Sequence, residues 1–104
     1  MGDRLGQFEE LILLALVRLR DNAYGVTIRQ EIEKRTGRQV SVGAVYTALE
    51  RLQQKGYVSS RVGDPTPERG GRAKRFFKIE APGLDALNRV RVAADRLAEG
   101  IAYA

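Results

Sequence analysis

The 104-residue sequence contains no cysteine, no histidine and no tryptophan, and these absences narrow the chemistry open to it. Without cysteine the chain has no disulfide framework, no thiol nucleophile and no thiolate metal site. Without histidine it lacks the commonest metal ligand and the usual general base at neutral pH. We therefore expect no metal, no cofactor and no catalytic residue, and we predict that the protein is not an enzyme.

Long hydrophobic runs are also missing. The longest, residues 11–17, is far shorter than the roughly 20 apolar residues that span a bilayer, and it lacks the flanking pattern of a signal peptide. Hydrophobic residues still make up 43% of the chain, which is enough for the core of one domain. These features predict a soluble, cytoplasmic protein with no membrane partner.

The net charge of +5 is concentrated in one part of the chain. Residues 42–78 hold eight cations and three acids, whereas the remainder has ten of each. The eight cations are Arg51, Lys55, Arg61, Arg69, Arg72, Lys74, Arg75 and Lys78. A contiguous cationic region is the electrostatic footprint of a nucleic-acid binder. Charge that only solubilises a protein is more often scattered over its surface.

Residues 41–57, SVGAVYTALERLQQKGY, have the pattern of a short helix with one buried face. Ser41 suits the N-cap, because its hydroxyl can accept from a free amide of the first turn, and Gly56 suits the left-handed residue that ends a helix. The buried stripe that the spacing predicts consists of Val45, Leu49 and Leu52. The opposite face carries Gly43, Ala44, Thr47, Arg51 and Gln54, with Tyr46 at its edge.

The outer face of this helix is small and polar at its N-terminal end and carries few acids. Such a face suits insertion into a DNA groove lined by phosphates and base edges. Lys55 lies in the last turn, where a cation meets the negative end of the helix dipole. An ordinary amphipathic helix also turns a polar face to water, so the neighbouring segments must decide between the two interpretations.

A first helix is predicted at residues 7–20, where apolar residues recur at helical spacing. These residues are Phe8, Leu11, Ile12, Ala15, Leu16 and Leu19. Leu14 and Val17 widen the apolar face beyond one stripe, which predicts a central helix or one that packs on a second subunit.

A second helix is predicted at residues 23–36, with Asp21 or Asn22 as its cap and Gly37 at its end. Its expected core-facing residues are Tyr24, Ile28 and Ile32. Gly25 in the first turn indicates either a close approach to a neighbouring helix or a frayed turn. Two helices joined by a short connection, the second with a polar outer face, form a helix-turn-helix pattern.

Two strands follow this pattern. Residues 57–62 alternate in polarity and predict one strand, and residues 74–80, KRFFKIE, predict another with Phe77 and Ile79 on one face. Between them, residues 63–73 carry two prolines and a glycine pair, which predict a loop. A hairpin directly after a helix-turn-helix is the wing of a winged helix.

A last helix is predicted to begin at Pro82, which fits the first helical position. From there apolar residues follow at spacings of 3, 3, 4, 3 and 4: Leu84, Leu87, Val90, Ala94, Leu97 and Ile101. This narrow, nearly heptad-like seam is longer than a small core needs, and together with Leu14 it predicts a dimer interface. The alternative is a helix that folds back on its own domain.

The predicted fold is therefore mainly α with a small β-hairpin: a winged helix-turn-helix plus a C-terminal dimerisation helix. We assign residues 1–81 to the DNA-binding winged helix-turn-helix and residues 82–104 to the dimerisation helix, within one compact domain.

The segments FEELILLALVRLRDNAYGVTIRQEIE, SVGAVYTALERLQQKGYV and PTPERGGRAKRFFKIEAPG together resemble the PadR family of bacterial transcriptional regulators. The resemblance runs from about Phe8 to Leu87, and the end of the chain about one helix after the wing is similar to the short members. Many members carry Tyr-Pro in the recognition helix, where this chain has Tyr46-Thr47. Some short members hold flat ligands with an interface tryptophan, which this chain lacks, so that ligand mode is not implied.

The resemblance implies a sequence-specific, ligand-responsive repressor that binds a pseudo-palindromic operator as a homodimer in the bacterial cytoplasm, on the nucleoid. Its partners would be double-stranded DNA, a second copy of the chain and a small-molecule inducer, whose pocket is expected near Phe8 and Leu14. By resemblance and by helix position, the DNA-binding residues would be Ser41, Gly43, Tyr46, Thr47, Arg51, Arg72, Lys74 and Arg75. Of these, Arg51 is expected at a phosphate.

Two other classes of function stay open from the residues alone. A winged helix can serve as a protein–protein interaction module without specific DNA binding. A small hydrolase or transferase would need paired carboxylates, and the close acid pairs are Glu9 with Glu10 and Glu31 with Glu33. Each pair is more simply explained as a solvated helix face, because charged residues are almost never buried without a partner.

Overall fold

The computed structural model describes residues 4–63 and 74–102. Within these ranges the elements are α1 (Gln7–Leu19), a 3-10 turn (Arg20–Asn22), α2 (Gly25–Thr36), α3 (Val42–Gln54), β1 (Val58–Val62), β2 (Arg75–Ile79) and α4 (Ala81–Ala98). The two strands pair antiparallel, with Ser60 opposite Phe77. The predicted mainly α fold with one small hairpin is confirmed. In the described part of the chain, no helix combines the length and apolarity needed to cross a bilayer.

Helix α1 is the centre of the core. Ile12, Leu13, Ala15 and Leu16 are buried in it, and the helix contacts α2, α3, β2 and α4. The wide apolar face seen in the sequence therefore reflects contact with several elements at once. The central position predicted for this helix is confirmed.

Helices α2 and α3 form the predicted helix-turn-helix. Gly37 ends α2 with a left-handed φ of 71°, and Ser41 caps α3 by accepting a hydrogen bond from the Ala44 amide at 3.0 Å. Val45, Leu49 and Leu52 are fully buried, and Gly56 has a left-handed φ of 79° after α3. Both ends and the inner face of this helix are as the sequence predicts.

The start of α2 differs from the prediction. Asp21 and Asn22 lie in the 3-10 turn, and the N-cap is Tyr24, whose amide donates to the Thr27 hydroxyl oxygen at 2.9 Å. The Thr27 hydroxyl in turn donates to the Asn22 carbonyl at 2.6 Å, so a side chain inside the helix closes its first turn. Tyr24 is half-buried against the ring of Phe76 instead of facing the core.

The hairpin is fixed to the helices by its backbone as well as by its side chains. The Phe77 amide donates to the Ala23 carbonyl at 2.8 Å, and the side chain of Phe77 is almost fully buried. At the other end of the strands, the Gly63 amide donates to the Lys74 carbonyl at 2.7 Å. The rest of the predicted loop, including Arg72, lies outside the described residues.

Helix α4 has buried residues only in its first half. It begins at Ala81, so Pro82 is its second residue and not its first, and it ends at Ala98, so Ile101 lies beyond the helix. Gly83, Ala86 and Leu87 are buried. The second half extends past the core, and the described part of the molecule reaches 54 × 31 × 20 Å.

Gly83 permits the close contact between α4 and the link that joins α3 to β1. A Cβ atom there would overlap the carbonyl oxygen of Tyr57 and lie 3.0 Å from its carbonyl carbon. That carbonyl accepts a hydrogen bond from the Glu80 amide at 2.8 Å, so the backbone cannot move aside freely. The first turn of α4 therefore requires a residue without a side chain.

We expect Gly83→Ala to lower the free energy of unfolding by about 2 kcal/mol or more, because the added methyl group meets backbone. Gly43→Ala is the matched control. Gly43 is also helical, but the nearest atom to its added Cβ is 3.9 Å away, so alanine should stabilise α3 by up to about 1 kcal/mol. Urea denaturation at one protein concentration measures both changes. Equal effects of the two substitutions would contradict the close contact at Gly83.

Candidate nucleic-acid interface

The outer face of α3 brings most of the predicted DNA-binding residues together. Ser41, Gly43, Thr47 and Arg51 are all exposed on it. The Thr47 hydroxyl donates to the Gly43 carbonyl at 3.0 Å, which leaves its methyl group and an oxygen lone pair for a partner. Apart from the acid Glu50, this face carries small, polar or cationic groups. Small side chains fit within a DNA groove, and polar or cationic ones can bind base edges and phosphates.

Tyr46 is held more tightly than its neighbours on α3. Its ring packs edge-on against Phe77, with centroids 6.1 Å apart, and it is half-buried. A Cβ atom at the buried Gly25 would lie 2.6 Å from Cε2 of this ring, so the close helix approach predicted at Gly25 is confirmed. Tyr46 thus extends from α3 and packs against α2 and the hairpin, and it is only partly exposed.

Three cations of the hairpin each lie over an aromatic ring. The distances from charged group to ring centroid are 4.7 Å for Arg61 over Phe76, 4.6 Å for Lys74 over Tyr24 and 5.0 Å for Arg75 over Phe77. Arg75 also donates to Ser60 Oγ at 3.2 Å and to Gln53 Oε1 at 3.0 Å, which joins the hairpin to α3.

Arg61 and Gln53 are candidate site residues that the sequence-based prediction omitted. The signal for Arg61 was present, because an antiparallel hairpin brings it opposite Phe76 in the KRFF run. Gln53 had no such signal, since its role depends on how the hairpin docks beside α3. Arg72, the remaining predicted wing cation, lies outside the described residues.

Acids balance cations in number over the rest of the protein but not at this surface. Outside residues 42–78 there are ten of each, and in the described part of the chain four of those cations form ion pairs: Arg18 and Arg35 bind Glu31, Arg29 binds Glu33, and Arg91 binds Glu10. By contrast, no carboxylate among residues 4–63 and 74–102 forms an ion pair with the five cations of α3's outer face and the hairpin. These cations are Arg51, Arg61, Lys74, Arg75 and Lys78. Their positive field is therefore available to an external anion.

The acids considered for catalysis are used in ion pairs. Glu9, Glu10, Glu31 and Glu33 each bind at least one cation. Within the described ranges, no three acidic side chains come together as a metal site would require. The carboxylate pairs noted in the sequence thus have structural partners.

An open groove of about 980 Å³ runs along one side of α3's outer face. Its other wall is formed by residues 4–9, of which we call residues 4–6 the arm. Thr47, Arg51 and Gln54 line the α3 side, and Arg4 lines the arm side. The groove therefore borders residues of the candidate interface.

Glu9 is the one buried charged residue of the described ranges. Its Oε1 accepts from Lys55 Nζ at 2.9 Å and from the Gly6 amide at 2.8 Å. Burial by itself raises the pKa of this carboxyl group, but the Gly6 amide and the Lys55 ammonium, with a smaller effect of Arg51, outweigh burial and lower the pKa below its ordinary value of 4.5.

Comparison with known proteins gives a consistent result. The profile of the Transcriptional regulator PadR-like family matches residues 13–89. A PadR-like transcription factor of Bacteroides fragilis is 25% identical, with a TM-score of 0.75 over 92% of this chain and 87% of that chain. RosR of H. salinarum is 24% identical, with a TM-score of 0.73 over 98% of this chain and 84% of that one.

A PadR family regulator of Eggerthella lenta is 23% identical, with a TM-score of 0.68 over 86% of this chain and 76% of that one. No curated protein matched the sequence. The structural matches confirm the predicted winged-helix fold.

The Glu9–Lys55 pair makes stability depend on pH. Because the folded-state pKa of Glu9 is lowered, its contribution is complete above the ordinary value of 4.5 and is lost as the pH falls through the folded-state pKa. We expect Glu9→Gln to lower the free energy of unfolding by about 1–2 kcal/mol at pH 7, with the difference from the native chain shrinking as the pH falls below 4.5.

Denaturation at a series of pH values measures this dependence. Glu10→Gln is the matched control: its partner Arg91 is a half-exposed side chain, so the substitution should cost less than about 0.5 kcal/mol. A Glu9→Gln difference that is the same at pH 3 and pH 7 would contradict the ionic role of Glu9.

Proposed function

The chain belongs to the PadR-like family of transcriptional regulators, which bind DNA, and from that premise we propose a more specific function. It is a sequence-specific, ligand-responsive repressor that binds a pseudo-palindromic operator as a homodimer. The observation that carries the DNA-binding part is a cluster of unpaired cations. Residues outside 42–78 hold ten cations and ten acids, whereas Arg51, Arg61, Lys74, Arg75 and Lys78 have no acidic partner among the described residues.

In the proposed complex, the outer face of α3 enters the major groove. Ser41 and Gly43 lie at the N-terminus of α3, where amides and the positive end of the helix dipole suit a phosphate. Thr47 is positioned further along for base edges, and Arg51 one turn later for the backbone. Tyr46 presents only part of its ring, so a phosphate contact through its hydroxyl suits it better than deep base reading.

The hairpin lies beside α3 and would contact the adjacent backbone or minor groove. Lys74 and Arg75 were predicted there with Arg72, and we add Arg61. The aromatic rings beneath these side chains limit their freedom, which reduces the entropy lost on binding. An arginine so oriented can enter a narrow minor groove.

Exposed apolar residues on α4 and just after it support the homodimer. Leu84 is 50% exposed, Leu97 is 82% exposed and Ile101 is 59% exposed, while Val90 is half-buried and Ala94 is exposed. Leu87 instead packs in its own subunit's core, where it fixes the base of α4. On α1, Leu14 is half-buried. Burying the exposed set against a second copy would remove apolar surface from water.

Regulation and location rest on family resemblance. An inducer pocket is proposed between α4 of one subunit and α1 of its partner, beside Phe8 and Leu14, both of which are partly buried at the edge of the core. A two-fold dimer would place half-sites about 34 Å apart on the operator. The protein would work in the bacterial cytoplasm, on the nucleoid.

The decisive experiment is selection of bound duplexes from a random pool, followed by salt titration of the best one. We expect a pseudo-palindrome. If each subunit neutralises about four phosphates, the log–log salt slope should be near −7. A slope near zero would refute DNA binding by this surface. Equal affinity for any acidic polymer would favour the protein–protein interaction module instead.

Leu97→Glu tests the dimer. Because Leu97 is 82% exposed within one subunit, the substitution should leave the subunit folded but shift sedimentation equilibrium to the monomer and reduce operator affinity by at least about tenfold. Ala93→Glu adds the same charge to an exposed position of α4 outside the seam and should stay dimeric. A native chain that sediments as a monomer at micromolar concentration would overturn the proposed homodimer.

A further inference from the structure

The outer face of α3 lies between two flanking structures. On one side is the hairpin, joined to α3 by the hydrogen bond between Arg75 and Gln53. On the other side is the arm, across the groove lined by Thr47 and Arg51. A helix in the major groove has a phosphate backbone on each side, about 12 Å apart. With α3 in the groove, the hairpin would lie beside the backbone on its own side of the helix.

The arm is fixed in place by its backbone. Lys55 Nζ donates to the Arg4 carbonyl oxygen at 2.7 Å and to Glu9 Oε1 at 2.9 Å, and the same Glu9 oxygen accepts from the Gly6 amide at 2.8 Å. These bonds join two parts of the chain that are 46 and 51 residues apart in sequence. The arm is thereby attached to the C-terminal end of α3, and its position follows that of α3.

The groove between the arm and α3 is electropositive. Its lining contains three cations, Arg4, Arg51 and Lys55, and one acid, Glu9. Lys55 and Glu9 neutralise each other. Arg4 is exposed, and no acid of residues 4–63 or 74–102 forms an ion pair with it. Two guanidinium groups therefore face the groove, and guanidinium matches a phosphate in both charge and shape.

We propose that Arg4 contacts the DNA backbone on the side of α3 opposite the hairpin, and that the Lys55–Glu9 pair positions the arm for this contact. The proposal rests on the proposed entry of α3 into the major groove. Its ligand is a phosphate of duplex DNA. Arg4 and Arg51 would hold one backbone while the hairpin holds the other, so that α3 is fixed across the full width of the groove.

Fluorescence anisotropy with the selected duplex tests the contact. We expect Arg4→Gln to weaken binding by about tenfold at low salt, to leave sequence preference unchanged and to make the salt slope shallower by about 2, since a dimer loses two phosphate contacts. Arg4→Lys keeps the charge and should keep the slope. Arg18→Gln, the matched control, removes an exposed arginine from the opposite end of α1 and should change neither quantity.

The outcomes distinguish this inference from the proposed function. A native chain with a steep slope, but with Arg4→Gln and Arg18→Gln indistinguishable, would overturn the arm contact and leave the proposed function standing. A native chain that binds no duplex would overturn both. A changed sequence preference in Arg4→Gln would also refute the backbone contact, because a phosphate carries no sequence information.

The positioning role is tested with the double variant Lys55→Met/Glu9→Leu. Replacing both partners with apolar residues avoids an unpaired buried charge, so the variant should remain folded, as thermal melting will check. The arm loses its attachment, and we expect the same loss of slope as in Arg4→Gln. Adding Arg4→Gln to the double variant should then change binding less than twofold. Additive losses would show that the pair does not position Arg4.

Discussion

The fold depends on the burial of α1. This helix contacts the other three helices and the second strand, and its apolar residues supply the shared surface against which they pack. Because every neighbour is positioned against the same helix, the spacing of α3, the hairpin and α4 is a property of one core. The polar outer face of α3 can therefore remain free of packing, since its inner face, through Val45, Leu49 and Leu52, meets the requirement for burial.

The charged side chains of the helical scaffold and those of the hairpin have different partners. Ion pairs neutralise Arg18 on α1 and Arg29 and Arg35 on α2, and the one buried carboxylate, within the described ranges, has a lysine partner. The cations of the hairpin are instead supported by aromatic rings, which orient a guanidinium or ammonium group without cancelling its charge. The protein thus carries positive charge in a fixed arrangement at one surface, where it adds to affinity for a polyanion.

The bounds and the buried face of α3 could be predicted from the sequence because they depend on interactions between residues that are close in the chain. The serine cap, the glycine stops and the 3–4 spacing of α3 act within a few residues, so the sequence alone located them, and the family match agrees. The start of α2 was mispredicted because Thr27, inside the helix, took the capping role expected of Asp21 or Asn22.

From the sequence, Lys55 was interpreted as a partner of the helix dipole. Its contacts with Glu9 and the arm, 46 and 51 residues away, depend on tertiary packing and leave no periodic signal. The hydrogen bond from Arg75 to Gln53 could not be predicted from the sequence for the same reason.

The contact between Gly83 and the Tyr57 carbonyl has a mechanical consequence. Tyr57 belongs to the short link between α3 and β1, so the base of α4 rests directly on the backbone that connects α3 to the hairpin. With no side chain between the two backbones, a tilt of α4 at its base would displace that link. The orientation of the projecting half of α4 would then alter the angle between α3 and the hairpin.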